Sequence, residues 1–212
     1  MSEELVIKNK YYRWSPIRFL VEKIIKDMNK RTVDFLEVFV QEGEKIIDIG
    51  GGGGWISQEL QKRKNTKNTL LDVIDLNQTD LPLIIYDGEN MPFEDNAFDT
   101  ALLICVLHHC QNPDEVLKEA KRIVRNKIII IENISTSRFD RITLCIKDAI
   151  TNIIFCFLVN SLKKITNLPF HFKTVSEWEE IFDKLDLKVV YKKDPLPSVK
   201  SVHGIAFIVQ KN

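Results

Sequence analysis

Hydrophobic and polar positions divide the first sixty residues into a helical segment, a short strand and a second helix. Between residues 15 and 40, apolar side chains recur at helical spacing among charged ones, which predicts one or two helices. The run Lys45–Ile49 is short, apolar and β-branched, and it predicts a buried strand. Residues 55–60 resume a helical pattern and predict the first turns of the next helix.

The same pattern continues to the C-terminus as strands separated by helices. Apolar runs predict further strands at residues 70–75, 83–86, 98–104 and 127–131, and a terminal antiparallel pair at 187–191 and 203–209. Asn112 followed by Pro113 predicts a helix start, and Thr174 with Glu177 forms the capping box of another helix. Strands alternating with helices indicate an α/β protein.

Five consecutive glycines, residues 50–54, lie between the first strand and its helix, in a chain that has eight glycines in all. Glycine lets the main chain approach a ligand closely, and a helix N-terminus offers unpaired N–H donors, so the loop predicts a nucleotide site. Neither the P-loop spacing nor the dinucleotide spacing fits, because the glycine each requires falls on Trp55. The spacing that fits is D-x-G-x-G-x-G, formed by Asp48, Gly50, Gly52 and Gly54.

Three later motifs follow the glycine loop in order. Asp75 follows the loop at about the distance at which Rossmann-like folds place a ribose-binding acid, although a turn-forming role is the alternative. Asp-Gly-Glu-x-x-Pro-Phe begins at Asp87, Asn-x-Phe-Asp ends at Asp99, and Val-Leu-His-His ends at His109. Residues 40–132 therefore resemble class I S-adenosylmethionine-dependent methyltransferases, in particular the type 11 subgroup that includes ubiquinone- and menaquinone-biosynthesis enzymes.

The resemblance implies the cofactor S-adenosylmethionine and the product S-adenosylhomocysteine. It also implies that Asp87 hydrogen-bonds the adenine amino group and that Leu103 and Ile104 lie against the methionine part. The complete set of expected cofactor-binding residues is Asp48, Gly50, Gly52, Gly54, Asp75, Leu76, Asp87, Gly88, Leu103 and Ile104.

The implied fold is a Rossmann-like sheet of seven mostly parallel strands with an antiparallel terminal strand, helices on both faces and an extra helical cap. We expect one domain over residues 1–212. Its parts are an N-terminal helical segment (1–40), a cofactor-binding core (41–132), a cap insertion (133–173) and a terminal helix and strand pair (174–212). Two departures stand out. Residues 76–81 are too short for the usual crossover helix. Arg125-Asn126-Lys127 stands where relatives commonly have Pro-Gly-Gly before the fifth strand, and Asn126 is the residue expected in left-handed conformation.

Composition narrows the partners and the location. Thirty basic and thirty acidic residues balance, so there is no general electrostatic attraction to nucleic acid, and none is expected as a partner. The N-terminus shows no signal-peptide pattern and no apolar run could span a bilayer, which favours a cytoplasmic protein. The four cysteines predict reduced, buried thiols. A zinc cluster built from Cys105, His108, His109 and Cys110 lacks a paired second half, so no metal is expected.

The acceptor site is the least specified part of the sequence. Residues 133–173 contain no glycine and predict packed helices, either a cap over the acceptor pocket or a pair that completes the core. Phe170 and His171 are candidate acceptor-binding residues in this segment. Tyr11 and Trp14 either lie over the cofactor or staple the first helix. His109 is the candidate catalytic base, with packing beside the site as its alternative.

The sequence therefore predicts an S-adenosylmethionine-dependent methyltransferase that acts on a small, partly apolar acceptor. The Asn/Asp-Pro-Pro-aromatic motif of enzymes that methylate nucleic-acid amino groups is absent, which supports a small acceptor. The alternative is a cofactor-binding regulatory or partner subunit without turnover of its own. A monomer or a homodimer is expected.

Overall fold

Residues 16–158, 170–194 and 204–211, the part of the chain that this computed structural model describes, form seven strands and five α-helices. The strands are β1 (Lys45–Ile49), β2 (Lys67–Asp72), β3 (Leu83–Ile85), β4 (Phe98–Ile104), β5 (Val124–Asn133), β6 (Leu187–Lys193) and β7 (Gly204–Lys211). The helices are α1 (Pro16–Leu36), α2 (Trp55–Lys64), α3 (Pro113–Ile123), α4 (Arg138–Leu158) and α5 (Val175–Lys184).

All seven strands form one sheet in the order β3-β2-β1-β4-β5-β7-β6. Strands β1 to β5 pair in parallel, whereas β7 runs antiparallel between β5 and β6. The predicted fold class is therefore confirmed, including the antiparallel terminal strand. The strand order reverses direction at β1 and β4, and ligands of open α/β sheets bind at the carboxyl ends of strands beside such a switch point.

Apolar side chains cover both faces of the sheet, because successive strand residues point to opposite sides. Ile128 and Ile130 of β5 pack with α3 and α5, whereas Ile129 and Ile131 pack with α1 and α2. All four are at most 2% exposed, and burying such a side chain stabilises the fold by about 1.5–3 kcal/mol. The strand is apolar without alternation because it is buried on both faces.

The connection between β2 and β3 contains no helix, as its length predicts. Residues 73–82 form bends and turns organised by Asn77. The side-chain amide of Asn77 donates to the Leu81 carbonyl (2.9 Å), and its oxygen accepts from the Thr79 N–H (2.9 Å). These bonds supply the order that a crossover helix normally gives.

Strands β2 and β5 differ most from their predicted bounds, by three residues. Strand β2 ends at Asp72, three residues before the predicted end at Asp75. Strand β5 begins at Val124 and runs through Asn126, which is not among the described residues with positive φ. An irregularity in the pairing of β4 with β5, between Phe98 and Thr100, accommodates the extra residues, so no left-handed turn is needed.

Several expectations lie partly or wholly outside the described residues. Tyr11 and Trp14 are outside them, as are residues 159–169 of the expected cap, and the division of the chain into segments stays a prediction. The described cysteines are free, but Cys105 is exposed and Cys110 and Cys145 are half-buried, so the expected burial is wrong for them. None of the helices within the described ranges is long and apolar enough to cross a membrane.

Candidate functional site

The glycine loop follows β1 and leads into α2, and its conformation separates the five glycines into two groups. Gly50, Gly52 and Gly54 have φ of +70°, +52° and +75°, values that L side chains rarely adopt, whereas Gly51 and Gly53 do not have positive φ. These three are the glycines of the D-x-G-x-G-x-G spacing. A Cβ at Gly50 would lie 2.1 Å from Val106 Cγ2, so the first glycine also allows the segment after β4 to pack directly on the loop.

Asp48 connects the two elements that flank the glycine loop. The Ser57 hydroxyl of α2 donates a 2.6 Å hydrogen bond to Asp48 Oδ2, which ties the strand end to the first turn of the helix. Asp48 is 3% exposed. Burial raises its pKa to about 6, an effect that the Ser57 hydrogen bond opposes and the nearby Asp72 carboxylate reinforces. The side chain of Asp48 therefore links β1 to α2.

Asp72 is the carboxylate that contacts the glycine loop. As the last residue of β2, it accepts from the Gly52 N–H through Oδ2 (3.1 Å) and from the Val73 N–H through Oδ1 (2.7 Å). Burial raises its pKa, and the backbone hydrogen bonds oppose that rise. Since each carboxylate oxygen has two acceptor positions, Asp72 can take further donors from a ligand.

The other expected acids are exposed turn residues. Asp75 lies three residues beyond β2, and its Oδ1 accepts from the Asn77 N–H (3.1 Å). Asp87 Oδ1 accepts from the N–H groups of Glu89 and Asn90 (both 2.8 Å), and these bonds lower the pKa of Asp87. Gly88 beside it has φ of +92°. Asp87 therefore carries a negative charge on the loop after β3. Its Oδ2 makes a long contact of 3.5 Å with the side-chain nitrogen of Asn90.

The end of β4 joins the loop to a pair of histidines. Leu103 is fully buried and Ile104 half-buried, and Cys105 then adopts φ of +52°, an uncommon conformation for a side-chain-bearing residue. The chain is held there by the hydrogen bond from Cys105 N–H to the Ile131 carbonyl (2.7 Å). A short 3-10 helix, Leu107–His109, follows directly.

His108 is buried between two carboxylates. Its Nδ1 lies 2.6 Å from Glu132 Oε2. The other carboxylate oxygen of Glu132, Oε1, accepts a hydrogen bond from the Leu107 N–H (2.7 Å). Its Nε2 faces Asp148 Oδ1 at 3.4 Å. Burial opposes the charged ring, but the Glu132 and Asp148 carboxylates outweigh it and raise the pKa of His108 to about 10.

His109 faces the same carboxylate from the other side. Its Nε2 lies 3.2 Å from Asp148 Oδ2 and 3.4 Å from the side-chain nitrogen of Asn152. Asn152, one turn further along α4, also donates to Asp148 Oδ2 (2.7 Å). The described part of the expected cap therefore reaches the segment after β4 through Asp148.

Aromatic residues from the end of the expected cap complete this edge. Phe172 stacks on the His108 ring with centroids 4.7 Å apart, and Phe170 meets the His109 ring edge-on at 5.9 Å. The His171 N–H donates to the His108 carbonyl (2.9 Å), while the His171 side chain is exposed. Phe170 is thus in contact with the histidine pair, and His171 contributes its backbone.

Sequence reasoning missed three carboxylates of this edge. Asp72 is an earlier acid in the same apolar run as Asp75, but the run predicts a strand end three residues too late. Glu132 was visible as the residue after the fifth apolar run. Asp148 lies on α4 far along the chain, and no spacing rule connects it to His108 and His109.

Comparisons with known proteins agree with this architecture. The family model described as a methyltransferase domain, of type 11, matches residues 47–131. The ubiquinone/menaquinone biosynthesis C-methyltransferase of Cupriavidus metallidurans is 26% identical over 109 residues. That alignment covers 44% of this chain and 44% of the relative, so the chain matches less than half of the relative's length.

Solved structures extend the similarity across most of the chain at the level of the fold. A chain in the complex of the Haloferax volcanii Trm112 methyltransferase activator with a methyltransferase superposes with a TM-score of 0.68 at 15% identity, covering 89% of this chain and 91% of its own. The Burkholderia thailandensis 1,6-didemethyltoxoflavin-N1-methyltransferase, bound to 1,6-didemethyltoxoflavin and S-adenosylhomocysteine, superposes with a TM-score of 0.62 at 14% identity, covering 88% of this chain and 78% of its own.

Proposed function

We propose that this chain, whose residues 47–131 match the methyltransferase-domain family model, is a class I S-adenosylmethionine-dependent methyltransferase that transfers a methyl group to a small, partly apolar acceptor. The observation that carries the proposal is the meeting of three elements at one edge of the sheet. The glycine loop contacts Val106, and the residues directly after Val106 contact Phe170 and Phe172. Cofactor and acceptor surfaces are thereby adjacent.

The donor and acceptor groups at this edge fit the cofactor. The positive-φ glycines expose main chain at the N-terminus of α2, which suits the carboxylate of the methionine part. Asp72 at the end of β2 is our candidate for the ribose hydroxyls, and Asp75 stays the competing prediction. Asp87 is the candidate for the adenine amino group. The remaining proposed contacts are Asp48, Gly50, Gly52, Gly54, Leu76, Gly88, Leu103 and Ile104.

The acceptor would bind against an aromatic wall. Phe170, which is half-buried, meets the His109 ring edge-on, and the buried Phe172 stacks on the His108 ring. Aromatic rings favour a flat or apolar acceptor and reduce access of water. His171 and the segments containing Tyr11 and Trp14 stay candidate acceptor-binding parts. The Cupriavidus relative is named for ubiquinone/menaquinone biosynthesis and the Burkholderia structure holds 1,6-didemethyltoxoflavin. Both names support an aromatic acceptor here.

The protein's contribution to the chemistry is alignment and exclusion of water. S-adenosylmethionine, when bound, supplies an electrophilic methyl group, so the residues at this edge need only hold an acceptor atom in line with it. Where that atom carries a proton, His109 is the candidate to remove it, because its imidazole lies next to the Asp148 carboxylate. A monomer or homodimer in the cytoplasm, without a nucleic-acid partner, stays our prediction.

The test is transfer of a labelled methyl group from S-adenosylmethionine to a panel of hydroxylated and aminated aromatic compounds, with S-adenosylhomocysteine as the second product measured. We expect at least one partly apolar aromatic to become labelled in proportion to enzyme. Tight cofactor binding with no transfer to any acceptor in the panel would contradict the proposal and favour the regulatory-subunit alternative.

A further inference from the structure

Three side chains, two from the 3-10 helix after β4 and one from α4, bring potential metal-ligand atoms together. His108, His109 and Asp148 each present one ligand atom, and these atoms lie within 4.8 Å of one another. Two of the separations are 3.4 Å, from His108 Nε2 to Asp148 Oδ1, and 3.2 Å, from His109 Nε2 to Asp148 Oδ2. Metal–ligand distances of about 2.0–2.1 Å around a tetrahedral zinc place ligand atoms about 3.3 Å apart. The two separations are close to this value, and the Asp148 carboxylate presents a different oxygen to each histidine.

Glu132 holds His108 in the orientation that a metal ligand requires. It accepts from His108 Nδ1, which directs Nε2 toward Asp148. A cation bound there would displace the proton from Nε2 and take its lone pair. A carboxylate that fixes the far nitrogen of a metal-bound histidine is a recurrent feature of metal sites. Glu132 itself is fully buried and fixed by the Leu107 N–H.

The inward-facing nitrogen of His108 lies within ion-pair distance of Asp148 but makes no hydrogen bond to it. His108 is 1% exposed, and its Nε2 makes no hydrogen bond to any described atom, despite the nearby Asp148 carboxylate. A buried polar atom usually has a partner. A cation between the ring nitrogens and the carboxylate would provide one, since each of the three atoms would then donate its lone pair to the metal.

We propose that His108, His109 and Asp148 bind a divalent cation of the zinc class. Two imidazole nitrogens and one carboxylate oxygen select zinc and its first-row neighbours over magnesium or calcium, which prefer oxygen ligands throughout. Cys105 and Cys110 are not part of this set, and Cys110 Sγ instead donates to the Val106 carbonyl at 3.4 Å. The ligand that completes the set, beside the two histidines, is therefore Asp148 of α4.

Such a cation would also activate the acceptor for methyl transfer, an inference that rests on the proposed function. Three protein ligands leave at least one coordination position for a water or an acceptor oxygen. A coordinated hydroxyl loses its proton more readily, so the metal would generate the nucleophilic oxygen, and His109 would be a ligand rather than a free base.

The experiment measures metal directly and needs no substrate. The purified full chain is stripped with chelator, loaded with zinc, dialysed and analysed for bound zinc, and cobalt is titrated in parallel to follow its visible absorption. We expect one zinc per chain and the intense cobalt spectrum of a tetrahedral site. Asp148→Asn and His109→Ala should each weaken zinc binding at least ~10-fold, and Glu132→Gln by about 10–100-fold.

Matched controls separate the site from nonspecific binding. Asp140→Asn, on the same helix, and His171→Ala, an exposed neighbour, should bind zinc like the unmodified chain. Circular dichroism confirms that each variant is folded. No stoichiometric zinc in the unmodified chain, or equal binding by Asp148→Asn and the controls, would overturn the metal site. Either result leaves the proposed methyl transfer standing, because that is tested by labelled product alone.

Discussion

Replacing Asp72 by asparagine tests which carboxylate binds the ribose of the cofactor. Asp72 ends β2 and already accepts from the Gly52 N–H of the glycine loop (3.1 Å), so its free acceptor positions lie beside the loop. Asp75 lies three residues further along and is exposed. The substitution Asp72→Asn keeps the shape of the side chain and removes its negative charge.

The expected loss follows from the hydrogen bonds that the charge strengthens. A hydrogen bond to an ionised group contributes about 1.5–3 kcal/mol, which corresponds to an increase in Kd of about 10- to 150-fold. The stability of the unliganded protein should not fall by a comparable amount. Burial raises the pKa of Asp72, which means that the folded state carries this charge at a cost.

Isothermal titration with S-adenosylhomocysteine measures the effect, and urea unfolding of each variant supplies the stability comparison. Asp75→Asn is the matched control, and we expect its Kd to change less than about threefold, since its carboxylate accepts only a local turn hydrogen bond. An unchanged Kd for Asp72→Asn together with a weakened Asp75→Asn would refute this reasoning and return the ribose role to Asp75.

Three further outcomes are expected. Gly50→Ala should weaken S-adenosylhomocysteine binding more than ~10-fold in titration, because the added Cβ would lie 2.1 Å from Val106 Cγ2. Gly43→Ala is the control: Gly43 also has a positive φ, but open space surrounds it, so this variant should lose only ~1–2 kcal/mol of stability and bind the cofactor normally. The pKa of Asp48 is raised from 3.8 to about 6, so its contribution to stability is present below about pH 4 and is lost as the pH rises through 6. The free energy of unfolding of Asp48→Asn, measured in urea, should therefore change with pH by about 3 kcal/mol less across this window than that of the unmodified chain. Phe170→Ala should lower kcat/KM for an aromatic acceptor about 10-fold or more without changing cofactor Kd, whereas Phe139→Ala, 77% exposed on α4, should change neither; equal turnover by both phenylalanine variants would remove Phe170 from the acceptor wall.

Elements whose boundaries depend on local chemistry could be predicted from the sequence. Strand β1 ends where the glycines begin, and α5 begins where Thr174 and Glu177 form the predicted capping box. The assignment of Gly50, Gly52 and Gly54 to the cofactor motif rested on spacing alone, and their positive φ values agree with it. Local signals of this kind involve only neighbouring residues, so the sequence contains all of the information.

Features that depend on tertiary contacts could not be predicted in the same way. The end of β2 at Asp72 is set by its pairing with β1 and β3, and the apolar run itself continues past it. Asp148 meets His108 and His109 only because α4 passes over the end of β4. The sequence showed an acid on a helix and two histidines after a strand, but their contact depends on the folded arrangement.

Parallel calorimetric titrations with S-adenosylhomocysteine and with NAD test the central claim that the glycine loop is a methyltransferase cofactor site. The positive-φ loop and the acids Asp72 and Asp87 at the next two strand ends predict one S-adenosylhomocysteine per chain, bound at micromolar affinity, and no binding of NAD at the same concentrations. Binding of NAD in preference to S-adenosylhomocysteine, or binding of neither, would contradict the account.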